Sequence, residues 1–269
     1  FITWYADVQQ QYGLTPYMTI EEPNPYFTQN RYQGDHGEEL FFLANSHLHN
    51  PYQGRIRFSK EITSGHYPWV WDMESGKRWR IDLDKDGGFA LDMGPVDSLV
   101  IVFDRNKQGP KWEPLPYEGD DSRTLNGWEV ELHHSREKWT RTDYMEQPTD
   151  LKETQWVDFT GTVTYRTTVT IDDTSRRTLI NLGKVHGEAY VSVNGKDLGL
   201  RWYGRRVYDL SDVLQPGENN IEVRVITTLG NYMKTLKDNP TAQKWTNTKN
   251  KVQPTQSMGL VGPVTLYTA

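Results

Sequence analysis

Apolar and polar residues alternate along much of this chain with a period of two. Between residues 159 and 171, Val163, Tyr165, Val169 and Ile171 alternate with Thr and Arg, the pattern of a strand with one buried and one wet face. Ala189, Val191 and Val193 repeat it, as do Ile221, Val223 and Val225. This spacing predicts strands at 128–132, 159–171, 177–182, 189–193, 206–210, 220–227 and 264–268 in the second half. In the first half it predicts strands at 40–45, 54–61, 68–72, 77–83, 89–93 and 98–104. Glu74-Ser75-Gly76, the run from Asp84 to Gly88, and Asn194-Gly195 supply hairpin turn chemistry, with Gly offering positive φ. Helical periodicity is confined to residues 1–11 and to one turn at 208–214, where Asp209, Ser211 or Asp212 suits a cap. The expectation is an all-β protein, an antiparallel sandwich followed by a second sandwich of jelly-roll type.

The pattern lapses between Arg105 and Thr124, where Gly109-Pro110, Pro114, Pro116 and Glu118-Gly119-Asp120-Asp121 make a polar, Pro/Gly-rich stretch. The reading is therefore a domain over 1–105, a linker over 106–124 and a domain over 125–269. Trp112 and Tyr117 within the linker are expected to dock on the flanking domains. A length of 269 residues suits two domains.

The formal net charge of −6 argues against nucleic acid or an anionic membrane as partner, since both select clustered positive charge. The apolar runs end far short of the ~20 residues of a spanning helix. Cysteine is absent, which excludes disulfides, thiolate nucleophiles and zinc–thiolate sites. Ten Trp, fifteen Tyr and eight Phe are too many for so polar a chain to enclose. Surface rings point to carbohydrate, because sugars stack their C–H faces on aromatic faces. The start at Phe1, with no leader before the first strand, reads as a piece of a longer protein or one whose signal peptide is gone.

The stretch from Gly183 to Gly199, with Val185, Ala189, Val191 and Val193-Asn194-Gly195, is similar to the signature of the sugar-binding sandwich of family 2 glycoside hydrolases. Trp202, Tyr208-Asp209-Leu210 and the run from Leu214 to Asn219 continue the likeness, and Phe159-Thr160-Gly161-Thr162-Val163-Thr164-Tyr165 resembles its opening strand. The closing run from Gly259 to Val264 resembles the terminus of family 106, the α-L-rhamnosidases. Leu40 to Asn45, Trp71 to Gly76 and Asp97 to Phe103 resemble elements of the preceding sandwich in that family. The resemblance implies a galactose-binding-like second domain, and a chain that is the C-terminal accessory region of a family 106-like enzyme. Catalysis in that family resides in an upstream (β/α)8-type domain, and no alternation of strands with long helices occurs here. The implied partners are carbohydrate, of plant-type or rhamnose-containing polysaccharide, and a catalytic domain of the same polypeptide. The implied location is periplasmic or extracellular.

Candidate chemistry is sparse. Thirty-six acidic residues make chance carboxylate pairs inevitable, so spacing selects no hydrolytic dyad. Asp82, Asp84 and Asp86 before Gly87 match the opening of a calcium loop, but Met93 stands where the bidentate Glu belongs, and a hairpin is the plainer reading. No cofactor is expected, with a structural calcium ion elsewhere left open. His47 and His49 lack a third ligand in register and read as loop residues. Two sugar platforms are expected: Trp202, Tyr203, Arg205 and Arg206 after the Asn194-Gly195 hairpin, and Asn231, Tyr232 and Trp245 in the polar loop over 229–257. Tyr67, Trp69, Trp71 and Trp79 are the first domain's alternatives. Trp69 and Trp71 share a strand face by parity and read as structural. Rival readings are a sandwich pair that braces a catalytic domain without touching sugar, and a complete small glycosidase.

Overall fold

The computed structural model describes residues 2–246 and 253–269. It divides into two compact units, Phe1–Pro114 with Tyr203–Arg205, and Leu115–Trp202 with Arg206–Ala269. Most of the regular structure is β, as the alternation predicts.

Unit 1 opens with helix α1 (Ile2–Tyr12), one residue beyond the expected span, and holds strands β1 (Met18–Ile20), β2 (Phe27–Gln33), β3 (Glu39–Asn45), β4 (Tyr52–Phe58), β5 (Tyr67–Trp71), β6 (Arg78–Arg80), β7 (Gly88–Met93) and β8 (Asp97–Asp104). They form a five-stranded sheet in the order β2-β3-β8-β5-β6 and a three-stranded sheet β1-β4-β7, all antiparallel. The expected strand at 54–61 ends early. Ser59 turns the chain into a short helix α2 (Lys60–Thr63), which buries Ile62. Phe41, Leu43, Val70, Ile101 and Phe103 from the larger sheet meet Met18, Tyr52, Ile56, Phe58, Leu91 and Met93 from the smaller. Burying such a set is the main stabilising term of a sandwich.

Unit 2 contains β9 (Asp120–Thr124), β10 (Trp128–His134), β11 (Thr140–Met145), β12 (Gly161–Ile171), β13 (Thr178–Asn181), β14 (Lys184–His186), β15 (Glu188–Val193), β16 (Lys196–Arg201), β17 (Val207–Asp209), β18 (Gly217–Ile226), β19 (Gly259–Gly262) and β20 (Thr265–Thr268). The sheets are β11-β10-β12-β18-β15-β16, β17-β13-β20-β9 and the pair β14-β19. Val163 pairs with Val225 and Tyr165 with Val223, so the alternating positions of both strands face one core. Asn194 and Gly195 link β15 to β16 as a two-residue turn with φ of 52° and 78°. That geometry is the reason an Asn-Gly pair stands there. Helices α3 (Gly230–Thr235) and α4 (Pro240–Thr246) lie in the long loop, of which residues 247–252 fall outside the described set.

The segment read as a linker, 106–124, belongs to the units themselves. Trp112 joins the unit 1 core, its ring 5.7 Å from Phe89, and Lys111 bridges to Arg80 beside β6. Leu115 and Tyr117 pack on Leu179, Val207 and Tyr267 of unit 2. Residues 120–124 form β9, an edge strand paired with β20. All its positions are exposed, so no apolar alternation marked it.

Candidate functional site

Of the first expected platform, Trp202 and Arg206 belong to unit 2 and Tyr203 and Arg205 to unit 1. Trp202 lies just beyond β16 and is 57% exposed. Its carbonyl accepts a hydrogen bond from Arg206 Nη2 at 2.7 Å. Arg205 is committed to Asp92 through two parallel bonds, Nη1 to Oδ2 at 3.1 Å and Nη2 to Oδ1 at 2.8 Å. A two-pronged charged pair of this kind holds its guanidinium in place. Tyr203 is half-buried.

In the second platform Asn231 is buried. Its Nδ2 donates to the carbonyls of Val157 and Gln256, and its Oδ1 accepts from Gln256 N–H. An amide satisfied in this way fastens the loop and leaves only one acceptor lone pair for a ligand. Tyr232 is half-buried, with its ring edge-on to His134 at 5.0 Å, within a cluster completed by Trp139, Phe159 and Trp156. Trp245 stands 62% exposed on α4.

Asp84 and Asp86 both converge on the guanidinium of Arg55, and Arg57 also reaches Asp86. The cation in that turn is therefore arginine. Asp82 turns instead to Arg80 and Lys111. Among the described residues no group of three or more acidic or imidazole side chains is placed to hold a metal ion. His47 Nδ1 accepts from the backbone N–H groups of His49 and Asn50, which makes the histidine part of its own turn.

A glycosidase acid needs a carboxyl raised above its ordinary range. Six carboxyls, those of Asp82, Asp86, Asp143, Asp150, Asp173 and Asp209, are displaced downward. Lys111 and Arg80 lower Asp82, Arg55 lowers Asp86, the Trp156 indole lowers Asp143 and the Ser175 hydroxyl lowers Asp173. At Asp150 and Asp209 burial pushes upward, but hydrogen bonds outweigh it. These come from Ser257 and the Met258 and Lys152 N–H groups at Asp150, and from Ser211 and Arg177 at Asp209.

An open concavity lies on the outer face of the five-stranded sheet. Cross-strand pairing there makes two rows, Asn30–Phe42–Val100–Trp71 and Tyr32–Leu40–Val102–Trp69. The Trp69 end is covered. Its indole Nε1 donates to Asn106 O at 2.9 Å, and Gly109 lies close against the ring. The remainder is a trough of about 700 Å³, floored by Leu40, Phe42 and Val100 and walled by Tyr32, Trp71 and Met73. Tyr32 is 60% exposed, Trp71 38% and Met73 53%. Asp72 closes one end, with its carboxylate accepting from Glu74 N–H at 3.0 Å and the Ser75 hydroxyl at 2.5 Å.

The parity of Trp69 and Trp71 is as read from the sequence, yet only Trp69 is enclosed. Tyr32 and Asn30 carried no signal because β2 is a polar edge strand. The available clue was the run Leu40-Phe41-Phe42-Leu43-Ala44, apolar at every position, which calls for cover on both faces of a strand.

No family model matches the sequence, and no curated protein matches it. Among solved structures, the chain resembles a rhamnosidase from Novosphingobium sp. PP1Y, with a TM-score of 0.67 at 20% identity over 97% of this chain and 26% of that one. A β-glucuronidase from Faecalibacterium prausnitzii aligns with 59% of this chain and 33% of its own length at 19% identity and a TM-score of 0.39. One from Ruminococcus gnavus aligns with 43% and 23% at 16% identity and 0.36. The chain thus spans about a quarter of the rhamnosidase, and its fold is one found within a glycoside hydrolase.

Proposed function

We propose that this chain is a non-catalytic accessory part of a glycoside hydrolase that acts on plant-type or rhamnose-containing polysaccharide, and that it holds carbohydrate near a catalytic domain of the same polypeptide. The observation that carries the reading is the likeness over 97% of the chain to one quarter of a rhamnosidase. The described strands all lie in antiparallel sheets, unlike the parallel strands of a (β/α)8 domain. The downward displacement of the carboxyls argues in the same direction, away from a complete small glycosidase. Holding sugar requires no cofactor, and a family 106-like enzyme places the chain in the periplasm or outside the cell. A shallow platform gives ~4–6 kcal/mol, micromolar to millimolar affinity.

The test is titration calorimetry against L-rhamnose, galacturonic acid and rhamnogalacturonan fragments, with and without calcium, beside a hydrolysis assay on the same substrates. Saturable binding without turnover is the expected result. Flat traces would leave a sandwich pair that braces its catalytic domain, and turnover would restore the small-enzyme reading.

A further inference from the structure

We propose that the trough on the outer face of β2, β3, β8 and β5 is where this chain holds sugar, and that its ligand is a neutral oligosaccharide containing 6-deoxyhexose. This rests on the carbohydrate reading above and gives it a place and a ligand. Four observations on the molecule support it.

The first is how the chain treats its other outward sheet faces. The outer face of the six-stranded sheet is polar, with Arg166 among Glu129, Glu131 and Glu222. That of β1-β4-β7 carries Arg55 and Arg57 with their acidic partners. The apolar outer face of the four-stranded sheet is sealed by Leu115 and Tyr117, and the Tyr267 hydroxyl donates to Pro116 O at 2.7 Å. The trough leaves apolar sheet surface open, rimmed by the exposed Tyr32, Trp71 and Met73, and such a surface marks a binding site.

The second is shape. Neighbouring strands lie ~4.8 Å apart, so the row from Asn30 to Trp71 crosses about 14 Å. That is a length for linked sugar rings rather than a single one. Its floor belongs to the central strands β3 and β8, which hold the aromatic walls rigidly.

The third is charge. Asp72 is the one charged side chain in the lining, so an acidic sugar meets repulsion and a neutral one does not. Asn30 at the opposite end has an amide without a partner among the described residues, ready for hydroxyl groups.

The fourth is the floor's chemistry. Leu40, Phe42 and Val100 offer no hydrogen bond to a hydroxymethyl group, and they suit the methyl that a 6-deoxyhexose carries in its place.

Calorimetry with rhamno-oligosaccharides on the wild-type chain, Trp71→Ala, Tyr32→Ala and Trp202→Ala tests the proposal, with melting curves as the check on folding. Tyr32 stands on an exposed edge strand, so its variant keeps the melting temperature even where Trp71→Ala lowers it. Both trough variants are expected to lose about five- to ten-fold in affinity, the scale of one stacked ring, and Trp202→Ala to bind as wild type. L-Mannose, which differs from L-rhamnose only by the 6-hydroxyl, is expected to bind about four-fold or more weakly. Galacturonate oligomers are expected to be weaker still. Binding lost in Trp202→Ala but kept in both trough variants would overturn the location and leave the carbohydrate reading standing. Tighter binding of galacturonate, or equal binding of L-mannose, would overturn the ligand assignment. Absence of binding to any saccharide would remove the carbohydrate reading itself. A concentration-dependent dimer that Tyr32→Ala dissolves would assign the trough to a second copy and end the sugar proposal.

Discussion

The outer faces of the two largest sheets differ in a way their inner faces do not. Inward, both read as ordinary sandwich cores, with Phe41, Ile101 and Phe103 in one and Val163, Tyr165 and Val223 in the other. Outward, β12 presents Thr162, Arg166, Thr168 and Thr170, while β3 presents Leu40, Phe42 and Ala44. A face that water covers can be written in Thr, Arg and Glu at little cost, and its exposed ion pairs add little to stability. A face written in Leu, Phe, Val and Trp is expensive to leave wet. The chain spends residues 105–111 in covering part of it and leaves the trough beside that cover. The difference teaches that apolar residues on a sandwich's outer face mark either a buried seam or a site.

The largest effect that tests this contrast comes from neighbours on one strand. Phe41 is fully buried against Phe58 and Phe103, whereas Phe42 is half-buried in the trough floor. Phe41→Ala is expected to cost about 3–5 kcal/mol through its cavity. Phe42→Ala is expected to cost about 1–2 kcal/mol, since its ring is only partly covered and leaves no closed cavity behind. Differential scanning calorimetry of both variants decides it. Equal losses would mean that the outer face is as enclosed as the core, and the contrast between faces would collapse.

Next in size is the cover itself. A Cβ at Gly109 would fall inside the contact distance of the Trp69 ring. That ring is buried and held by its bond to Asn106, so it has nowhere to retreat. Gly109→Val is expected to lift the segment at a cost of about 1–3 kcal/mol. Trypsin cleavage at Lys107 should then quicken severalfold. Unchanged cleavage would mean that the 105–111 segment is not held by this contact.

What the sequence revealed, and what it hid, follows the same division between covered and wet surface. Strands with a buried face were readable at β3, β4, β5, β7, β8, β10, β12, β13, β15, β17, β18 and β20, because burial imposes alternation or an apolar run, and the edge strand β6 was read as well, over a longer span than its three residues. Those that escaped were β1, β2, β9, β11 and β16, each at the edge of its sheet, and the short pair β14-β19. An edge strand such as Phe27–Gln33 packs one residue inward and leaves the rest to solvent, so polar side chains serve it and the period vanishes. The trough straddles that blind spot. Its floor was visible in the Leu40 to Ala44 run, but Asn30 and Tyr32 sit on β2, and only register brings them beside Phe42 and Leu40. The loop residues chosen from sequence were rings, cations and one amide, of which Trp202 and Trp245 are exposed. Sequence could not foresee that Asn231 would be spent on backbone carbonyls, or that Arg205 would close on Asp92 113 positions away.

The smallest expected change in stability sharpens the comparison most. Tyr32 and Thr168 are both exposed and both on outer faces, the first beside the trough and the second on the polar face opposite Asn220. Exchanging their chemistry, as Tyr32→Thr and Thr168→Tyr, should move stability by no more than about 0.5 kcal/mol in either case, since both positions are wet and both residues favour strands. Binding should respond asymmetrically. Tyr32→Thr removes a wall and is expected to weaken rhamno-oligosaccharide binding several-fold. Thr168→Tyr adds a ring above Arg166, Glu222 and their neighbours, where there is no apolar floor and no facing wall, and is expected to create no binding at all. The pair measured by calorimetry in a Tyr32→Thr background separates two ideas that a single alanine substitution confounds. If the added ring on the polar face restored affinity, any exposed aromatic would suffice and the trough would have no special standing. If it does not, the binding belongs to the patterned face as a whole, its two-sided apolar strands having been written for a ligand and not only for a core.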